Sequence, residues 1–225
     1  MTKKNKKNFW KGKKTLVTGH TGFKGGWLST WLNYRKSIVY GYSLKPPTTE
    51  NFYDIVNLKK IIKSEIRGNI TNTKKLINFI NKNKIEIIFH MAAQSLVRKS
   101  YQEPLKTIKT NIMGTSAVLE AARLCKSVKT VIIITTDKVY KNDNKKFSFL
   151  ESDNLGGKEI YCSSKASTEL ISESYYESFF SVSNRVNLAT VRAGNVIGGG
   201  DWAEDRLIPD CIKSFSKNKS VSIRS

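Results

Sequence analysis

A tyrosine and a lysine four residues apart, Tyr161 and Lys165, are the residues of this sequence best suited to proton transfer. In a helix they would lie on one face. A lysine ammonium beside a phenol favours the phenolate and lowers the pKa of the phenol, so Tyr161 could act as a base near neutral pH. The same spacing also arises by chance on many surface helices, so the pair alone is a weak signal.

Polar side chains follow an apolar run at residues 131–134, upstream of this pair. Such a run is typical of a buried strand, and open parallel sheets bind ligands outside the carboxyl ends of their strands. We therefore predict that Thr136, Asp137 and Lys138 lie at an active-site edge with Tyr161. Taken singly, Asp137 would more often cap a turn, and Lys138 would more often be a solvated surface group.

A glycine-rich segment near the N-terminus strengthens the case for a ligand. Residues 18–26 read Thr-Gly-His-Thr-Gly-Phe-Lys-Gly-Gly, after a predicted strand and before a predicted helix. The spacing is G-x-x-G-x-x-G and differs from the standard dinucleotide fingerprint, but the physical basis is shared. Glycines allow a tight turn and a close approach of the backbone to a pyrophosphate on the positive end of the helix. A glycine-rich turn without a ligand is the alternative.

The remaining chain alternates between strand-like and helix-like segments. This alternation predicts βαβ units and an α/β fold, a Rossmann-like doubly wound parallel sheet with the start of a smaller C-terminal substrate domain. The predicted strands are 14–18, 37–42, 65–68, 85–89, 129–135 and 187–191. The predicted helices are 25–36, 54–62, 72–82, 104–125, 160–178 and an amphipathic segment at 207–215.

We predict two regions in the chain. Residues 1–191 would form a NAD-binding Rossmann-like domain, and residues 192–225 would form an incomplete sugar-nucleotide-binding region that contains a glycine-rich loop. Residues 221–224 read as a further strand at which the sequence stops, so we expect the 225 residues to be a C-terminally truncated sequence.

Composition limits the other classes of function. The formal net charge is +21, but the lysines are scattered, and only residues 3–14 form a basic cluster. We therefore expect no nucleic-acid partner. No window approaches the ~20 apolar residues of a membrane span, so we expect no membrane partner. Three cysteines without metal or disulfide spacing fit a reducing cytoplasm, and two histidines cannot supply a metal cluster, so we expect no metal.

Taken together, these motifs resemble the extended short-chain dehydrogenase/reductase family over nearly the whole chain. Within this family, the motifs most resemble those of the nucleotide-sugar 4,6-dehydratases. Relatives acting on dTDP-glucose or GDP-mannose carry Asp-Glu where this chain has Asp137 and Lys138, which favours the branch that acts on CDP-glucose. The resemblance rests on residues 19–25, 135–140 and 192–210.

The resemblance implies roles for individual residues. The catalytic residues would be Thr136, Asp137, Lys138, Tyr161 and Lys165. The cofactor, NAD, would contact Gly19, His20, Thr21, Gly22, Phe23, Gly25, Asn69, Ile70, Ala92, Ala93, Gln94 and Asn111. The nucleotide-sugar substrate would contact Arg192, Asn195 and Arg206.

The implied reaction is dehydration of CDP-glucose to a 4-keto-6-deoxy sugar. Tyr161 would take the proton of the carbon 4 hydroxyl, and Asp137 would protonate the departing hydroxyl of carbon 6. Lys138 would take the carbon 5 proton or stabilise the enolate as a cation. We expect burial to raise the pKa of Asp137 and to lower that of Lys138.

The sequence departs from the family pattern at two positions. Asn69 replaces a usual aspartate near the adenine, and Lys45 stands where an acid commonly holds the ribose hydroxyl, so a 2′-phosphate could be tolerated.

Other functions stay open: another NAD-dependent nucleotide-sugar epimerase or dehydratase, or a non-catalytic dinucleotide-binding fragment. The helices near 104–125 and 160–178 resemble the dimer-forming pair of the family, which implies a homodimer.

Overall fold

A six-stranded parallel sheet forms the centre of the protein. The computed structural model describes residues 9–142 and 148–221, so the predicted strand at 221–224 lies almost wholly outside the described residues, as do residues 3–8 of the basic cluster. The strands are β1 (Lys14–Thr18), β2 (Ile38–Ser43), β3 (Ser64–Arg67), β4 (Ile87–His90), β5 (Thr130–Ile134) and β6 (Asn187–Val191).

The strand order is β3-β2-β1-β4-β5-β6, and every neighbouring pair is parallel. The order reverses between β1 and β4, which leaves a crevice at the carboxyl ends of these two strands. The predicted doubly wound α/β fold is confirmed, and the crevice is the position where such sheets bind ligands.

The helices agree with the sequence patterns less closely than the strands do. They are α1 (Phe23–Tyr34), α2 (Phe52–Ile55), α3 (Leu58–Ile61), α4 (Thr73–Asn83), α5 (Val97–Gln102), α6 (Pro104–Ile108), α7 (Gly114–Leu124), α8 (Ile160–Tyr175), α9 (Ser181–Ser183) and α10 (Leu207–Phe215). Single π-helical turns, Lys109–Met113 and Tyr176–Phe180, join α6 to α7 and α8 to α9.

Two predicted helices are wrong in detail, each for a local reason. The helix predicted at 54–62 is two short helices, because Asn57 adopts a left-handed conformation (φ 49°) that ends one and begins the next. The helix predicted at 104–125 contains a π turn at its centre. Helix α5 was not predicted, because its six residues are too few to establish an apolar period.

Apolar residues cover both faces of the sheet. Leu16 and Val17 are adjacent in β1 and point to opposite faces, as side chains of a strand must. Leu16 belongs to the larger cluster, which includes Ile88, Val131, Val118 and Leu119 of β4, β5 and α7. Val17 belongs to the smaller cluster, which includes Leu32, Val39, Tyr53 and Leu58. A parallel sheet needs this coverage on both faces.

Candidate active site

The glycine segment forms a cradle between β1 and α1. Gly19 adopts a φ of +75°, and a methyl group there would lie 2.8 Å from the backbone nitrogen of Ala92. A methyl group at Gly25 would overlap the carbonyl oxygen of Gly19. Gly22 is the N-cap residue of α1 and has no side chain that could accept a hydrogen bond from the first turn. The first-turn N–H groups of α1 are thus left without a capping side chain, as an anion-binding helix end requires.

A cavity of about 670 Å³ opens at this cradle and extends along the carboxyl ends of the strands. Its volume lies within the range of pockets that bind small ligands, about 300–1,000 Å³. Twelve of the residues predicted from the sequence line it: Gly19, Thr21, Gly22, Phe23, Gly25, Asn69, Ile70, Ala92, Ala93, Tyr161, Lys165 and Arg206.

His20 does not line this cavity. Its ring is fully buried beneath Gly41, and its Nε2 lies 2.7 Å from a carboxylate oxygen of Glu65. Glu65 also accepts hydrogen bonds from Tyr53 and Arg67. Burial lowers the pKa of His20, although Glu65 opposes this effect. The side chain of His20 is thus held against Glu65 of β3, and a cofactor contact of this residue stays a prediction that only its backbone could meet.

Gln94 and Asn111 brace the active-site helices. The Asn111 side chain accepts a hydrogen bond from the Gln94 backbone at 2.8 Å and donates to Ser164 of α8 at 2.9 Å. The Gln94 side chain donates to Thr107 of α6 and to the carbonyl of Leu96. Neither residue lines the cavity. Both hold the turn after β4 against α6 and α8, and their roles at the cofactor, for Asn111 the orientation of the active-site lysine through water, stay predictions.

Tyr161, Lys165 and Thr136 converge at the end of the cavity nearest β5. The Lys165 ammonium is buried and donates to the carbonyl of Ile134 at 2.9 Å. Burial, reinforced by the charge of Lys24, lowers the pKa of Lys165 to about 8. Tyr161 shares a hydrogen bond with Thr136, which lowers the phenol pKa. Burial outweighs that bond and raises the pKa of Tyr161, contrary to the lowering predicted from the neighbouring lysine.

Asp137 and Lys138 begin the turn that follows β5, where Asp137–Val139 form a single 3-10 turn. Thr136 donates a hydrogen bond to the Asp137 carboxylate at 3.0 Å, and the Asp137 backbone donates to the carbonyl of Ala193. Both side chains are exposed. The predicted burial of Asp137 and Lys138 is wrong for the described chain, because no described residue covers this turn.

The three residues predicted to contact substrate lie apart from one another. Arg192 pairs with Glu169 through hydrogen bonds of 2.5–2.9 Å and stacks over Tyr140. Its hydrogen bonds to Glu169 raise its pKa further. Asn195 is exposed and does not line the cavity. Arg206 alone lines the cavity, 3.5 Å from Asp201.

The structure adds Lys24 and Trp202 to the cavity lining. Lys24 extends from the first turn of α1, and burial is the main cause that lowers its pKa. Its position inside the glycine motif could have indicated from the sequence that Lys24 lies near the ligand. Trp202 lies in the loop after β6, where the sequence alone gave no reason to distinguish it from a packing residue.

The loop after β6 rests on aromatic side chains at the mouth of the cavity. Trp27 stacks on Phe52 with ring centroids 4.7 Å apart, and its indole N–H donates to the carbonyl of Gly199 at 2.9 Å. Gly200 adopts a φ of +83°, and a methyl group there would lie 2.7 Å from the Phe52 ring. This contact, which we call the aromatic rest (Trp27, Phe52 and residues 198–200), places Asp201 to Arg206 over the cavity.

Other classes of site find little support in the part of the chain that the structure describes. Within residues 9–142 and 148–221, no group of three or more histidine, cysteine or acidic residues could hold a metal ion. No helix among the described residues is both long and apolar enough to span a membrane. His90 is buried between Thr18 and Thr115, and burial lowers its pKa to about 3, so it is a packed residue as predicted.

Comparison with known proteins identifies the family of the chain. The GDP-mannose 4,6-dehydratase family model matches residues 16–214. CDP-glucose 4,6-dehydratase of Salmonella typhimurium is 49% identical over 97% of this chain and 62% of its own length, and dTDP-D-glucose 4,6-dehydratase of Dictyostelium discoideum is 31% identical over 93% and 50%.

The fold also occurs in solved structures. A dTDP-glucose 4,6-dehydratase from Bacillus anthracis, in complex with NAD, superimposes with a TM-score of 0.75 at 24% identity and covers 93% of this chain and 63% of that one. The chain therefore spans about half to two thirds of the length of these relatives. Because the family model covers most of the chain, including the glycine cradle and the Tyr161–Lys165 pair, the chain belongs to the GDP-mannose 4,6-dehydratase family.

Proposed function

We propose that the whole protein converts CDP-glucose to a 4-keto-6-deoxy sugar with NAD as a bound cofactor. The observation that carries the proposal is the presence of Tyr161 and Lys165 in the lining of a dinucleotide-sized cavity, with Thr136 hydrogen-bonded to Tyr161 and to Asp137. The 49% identity to a CDP-glucose 4,6-dehydratase supports the choice of substrate.

The residues fit a dinucleotide. The cradle at Gly19 and Gly25 leaves no room for side chains, and the uncapped start of α1 offers N–H groups to a pyrophosphate. Asn69 and Ile70 line the far end of the cavity, suitable for an adenine. Lys45 also lines that end, so we propose NAD with tolerance of a 2′-phosphate. When bound, the dinucleotide supplies a hydride acceptor that later returns the hydride.

The chain supplies the proton transfers. Tyr161 accepts the proton of the carbon 4 hydroxyl, and the adjacent Thr136 hydrogen-bonds the same oxygen. Lys165 is fixed by the Ile134 carbonyl and stabilises negative charge on Tyr161. The resulting ketone makes the carbon 5 hydrogen acidic, and Lys138 accepts this proton. Asp137 then donates a proton to the hydroxyl that leaves carbon 6, so that water departs.

The substrate itself would complete the environment of Asp137 and Lys138. Both side chains are exposed, and Asp137 lies beside Lys24 of the cavity lining, so that a bound sugar could cover them and exclude water. We propose that residues 1–191 hold the cofactor and that residues 192–225 contribute to the sugar-nucleotide site. The positions of Asp201, Trp202 and Arg206 in the cavity lining support this division.

Substrate preference tests the proposal. The whole protein is expected to turn over CDP-glucose faster than dTDP-, UDP- or GDP-linked sugars, without net release of NADH. Product would be measured by chromatography and NADH by its absorbance, with NAD and NADP compared at equal concentration. Equal or faster turnover of dTDP-glucose would contradict the assignment of CDP-glucose.

We further propose a homodimer that forms through the surface of α6, α7 and α8. Three apolar side chains are exposed here: Leu105 of α6 (80%), Met113 of the π turn between α6 and α7 (56%) and Leu170 of α8 (52%). Met113→Asp is expected to shift the protein from dimer to monomer, because a charge within an apolar interface is not compensated. Sedimentation would measure the change. Ile55→Asp, at another exposed apolar position, is the control and should leave the dimer intact.

A cytoplasmic location belongs to the same proposal. Cys125, Cys162 and Cys211 are all free thiols, as expected of a protein in a reducing compartment.

A further inference from the structure

Glu169 is a buried carboxylate that the proposed proton transfers do not use. It lies on α8 four residues after Lys165, so both side chains point to the same side of the helix. Its side chain is 5% exposed and does not line the cavity. A buried charge is costly unless it is paired and hydrogen-bonded, so the partners of Glu169 show what this carboxylate does.

These partners are the residues that directly follow two strands. Thr135, after β5, donates its hydroxyl to one carboxylate oxygen at 2.6 Å. Arg192, after β6, donates through Nε to both oxygens at 2.9 Å and through a terminal nitrogen at 2.5 Å. The backbone of Thr135 also donates to the carbonyl of Val191 at 2.9 Å. One carboxylate therefore joins α8 to the ends of both strands, an arrangement that we call the Glu169 tie (Thr135, Glu169 and Arg192).

The Glu169 tie lies next to the reacting groups at the end of β5. Thr135 immediately precedes Thr136, which shares hydrogen bonds with Tyr161 and with the Asp137 carboxylate. The ammonium of Lys165 donates to the last carbonyl of β5 at 2.9 Å. Two side chains of α8 thus contact two successive residues of this strand end. The distance from Tyr161 to Thr136 and Asp137 depends on how firmly they hold it.

Arg192 extends the same restraint to the turn that carries the acid. The residue after it, Ala193, accepts a hydrogen bond from the Asp137 backbone at 3.1 Å. Arg192 also donates to the carbonyl of Glu151 at 3.0 Å and lies 4.7 Å above the Tyr140 ring. The guanidinium is therefore fixed on several sides, and its bonds to Glu169 connect this fixed group to α8.

We propose that Glu169 is a positioning residue, which holds Thr136 and Asp137 at the distance from Tyr161 that proton transfer requires. Misplacement of a reacting group by about 1 Å can cost about 100-fold in rate. Because the Glu169 side chain does not line the cavity, its loss should slow the chemistry and leave binding of the sugar nucleotide unchanged. This inference rests on the proposed function.

The charge of Glu169 also acts on Lys165. Burial and the charge of Lys24 lower the pKa of Lys165 to about 8, and Glu169 opposes this lowering. His90 of β4 and Tyr161 of α8 also lie near Lys165. Both are uncharged near neutral pH, because burial lowers the pKa of His90 to about 3 and raises that of Tyr161. Removal of the Glu169 charge should therefore lower the pKa of Lys165 further, and the ammonium would lose its proton at a lower pH.

Single-turnover reduction of bound NAD by CDP-glucose tests the positioning role in the whole protein. Glu169→Gln keeps the size of the side chain but removes the charge that pairs with Arg192. It is expected to slow formation of bound NADH by about 10- to 100-fold, with an unchanged half-saturating concentration of CDP-glucose. The alkaline limb of the rate should also move to lower pH, because Lys165 loses its charge earlier. Rates are expressed per NAD-loaded site, so loss of folded protein does not count as slower chemistry.

Thr135 supplies a second variant at the other end of the Glu169 tie. Thr135→Val keeps the shape but removes the hydroxyl that donates to Glu169, and it should slow the same step less than Glu169→Gln does, because Arg192 still holds the carboxylate. Thr135→Ser keeps a hydroxyl and should restore most of the rate. Thr135 also lines the cavity, so the double variant Thr135→Val with Glu169→Gln isolates the tie. It should be slowed by less than the product of the two single effects.

Glu173→Gln is the matched control, because it removes a carboxylate from an exposed position one turn further along α8. It should reduce NAD at the normal rate. Normal NADH formation in both Glu169→Gln and Thr135→Val overturns the positioning role, as does a raised half-saturating concentration with an unchanged maximal rate. If Glu169→Gln fails to bind NAD, Thr135→Val decides. A normal rate then overturns the role, and slowing that Thr135→Ser reverses supports it.

The unaltered protein separates failure of the positioning role from failure of the proposed function. It is first mixed with CDP-, dTDP-, UDP- and GDP-glucose, and the sugar that forms bound NADH fastest is used for all variants. If this sugar is not CDP-glucose, the proposed substrate is wrong, and the Glu169 variants still test the positioning role. If none of the four forms bound NADH, the proposed function is wrong and the positioning role falls with it.

Discussion

Tyr161→Phe is expected to abolish turnover of nucleotide sugar by the whole protein at its first chemical step. The substitution removes the only atom of the side chain that can accept the carbon 4 hydroxyl proton, while the ring still fills its buried position beside Thr136. Loss of a general base slows a reaction by about 10²–10⁴. After substrate is added, rapid-scan absorbance should therefore show no enzyme-bound NADH.

The control for this variant is Tyr101→Phe, which removes a phenol from an exposed position on α5. It should form bound NADH at the normal rate. NAD binding to Tyr161→Phe should also persist, because the cradle at Gly19 and the start of α1 are unchanged. If Tyr161→Phe accumulates NADH as the unaltered protein does, Tyr161 is not the base.

Asp137→Asn should block the reaction later and leave a different species on the enzyme. The amide keeps the shape of the carboxyl group and can accept the hydrogen bond from Thr136, but it cannot protonate the hydroxyl that leaves carbon 6. Overall turnover should fall by about 10²–10⁴. Oxidation at carbon 4 should survive, so bound NADH and a 4-keto sugar should accumulate together.

Two further variants locate the block. Lys138→Met should slow exchange of the carbon 5 hydrogen with solvent, which is measured by mass spectrometry in heavy water. Glu173→Gln removes one carboxylate from an exposed position on α8 and should change neither step. Absence of bound NADH in Asp137→Asn, or turnover at the normal rate, would show that Asp137 is not the acid and would favour an epimerase-like relative.

The sequence predicted those parts of the molecule that depend on local patterns. Strand β1, the glycine cradle and α1 follow from an apolar run, three spaced glycines and the helix that they open. Strand β6 was predicted to the residue, although it is largely exposed. Of the twelve predicted residues that line the cavity, all but Tyr161, Lys165 and Arg206 lie in segments that follow β1, β3 or β4, where the fold itself brings them together.

The remaining features depend on contacts that local patterns do not encode. A histidine inside the glycine segment looked like a ligand contact, but its position is decided by Glu65, which is distant in sequence. The pKa of Tyr161 depends on how deeply α8 packs, and burial there outweighs the hydrogen bond with Thr136. Arg192 was expected at the substrate, yet Glu169 of α8 holds it. Each outcome required the tertiary structure.

The aromatic rest also has a thermal consequence. The loop that carries Asp201 to Arg206 packs at its glycines on the rings of Trp27 and Phe52, and burial of apolar surface lowers heat capacity. Any step that lifts this loop must therefore expose aromatic surface and raise heat capacity. The enthalpy of such a step should increase with temperature, and the contact should weaken on cooling. A cold-adapted relative would therefore need a hydrogen bond in place of the apolar contact with Phe52.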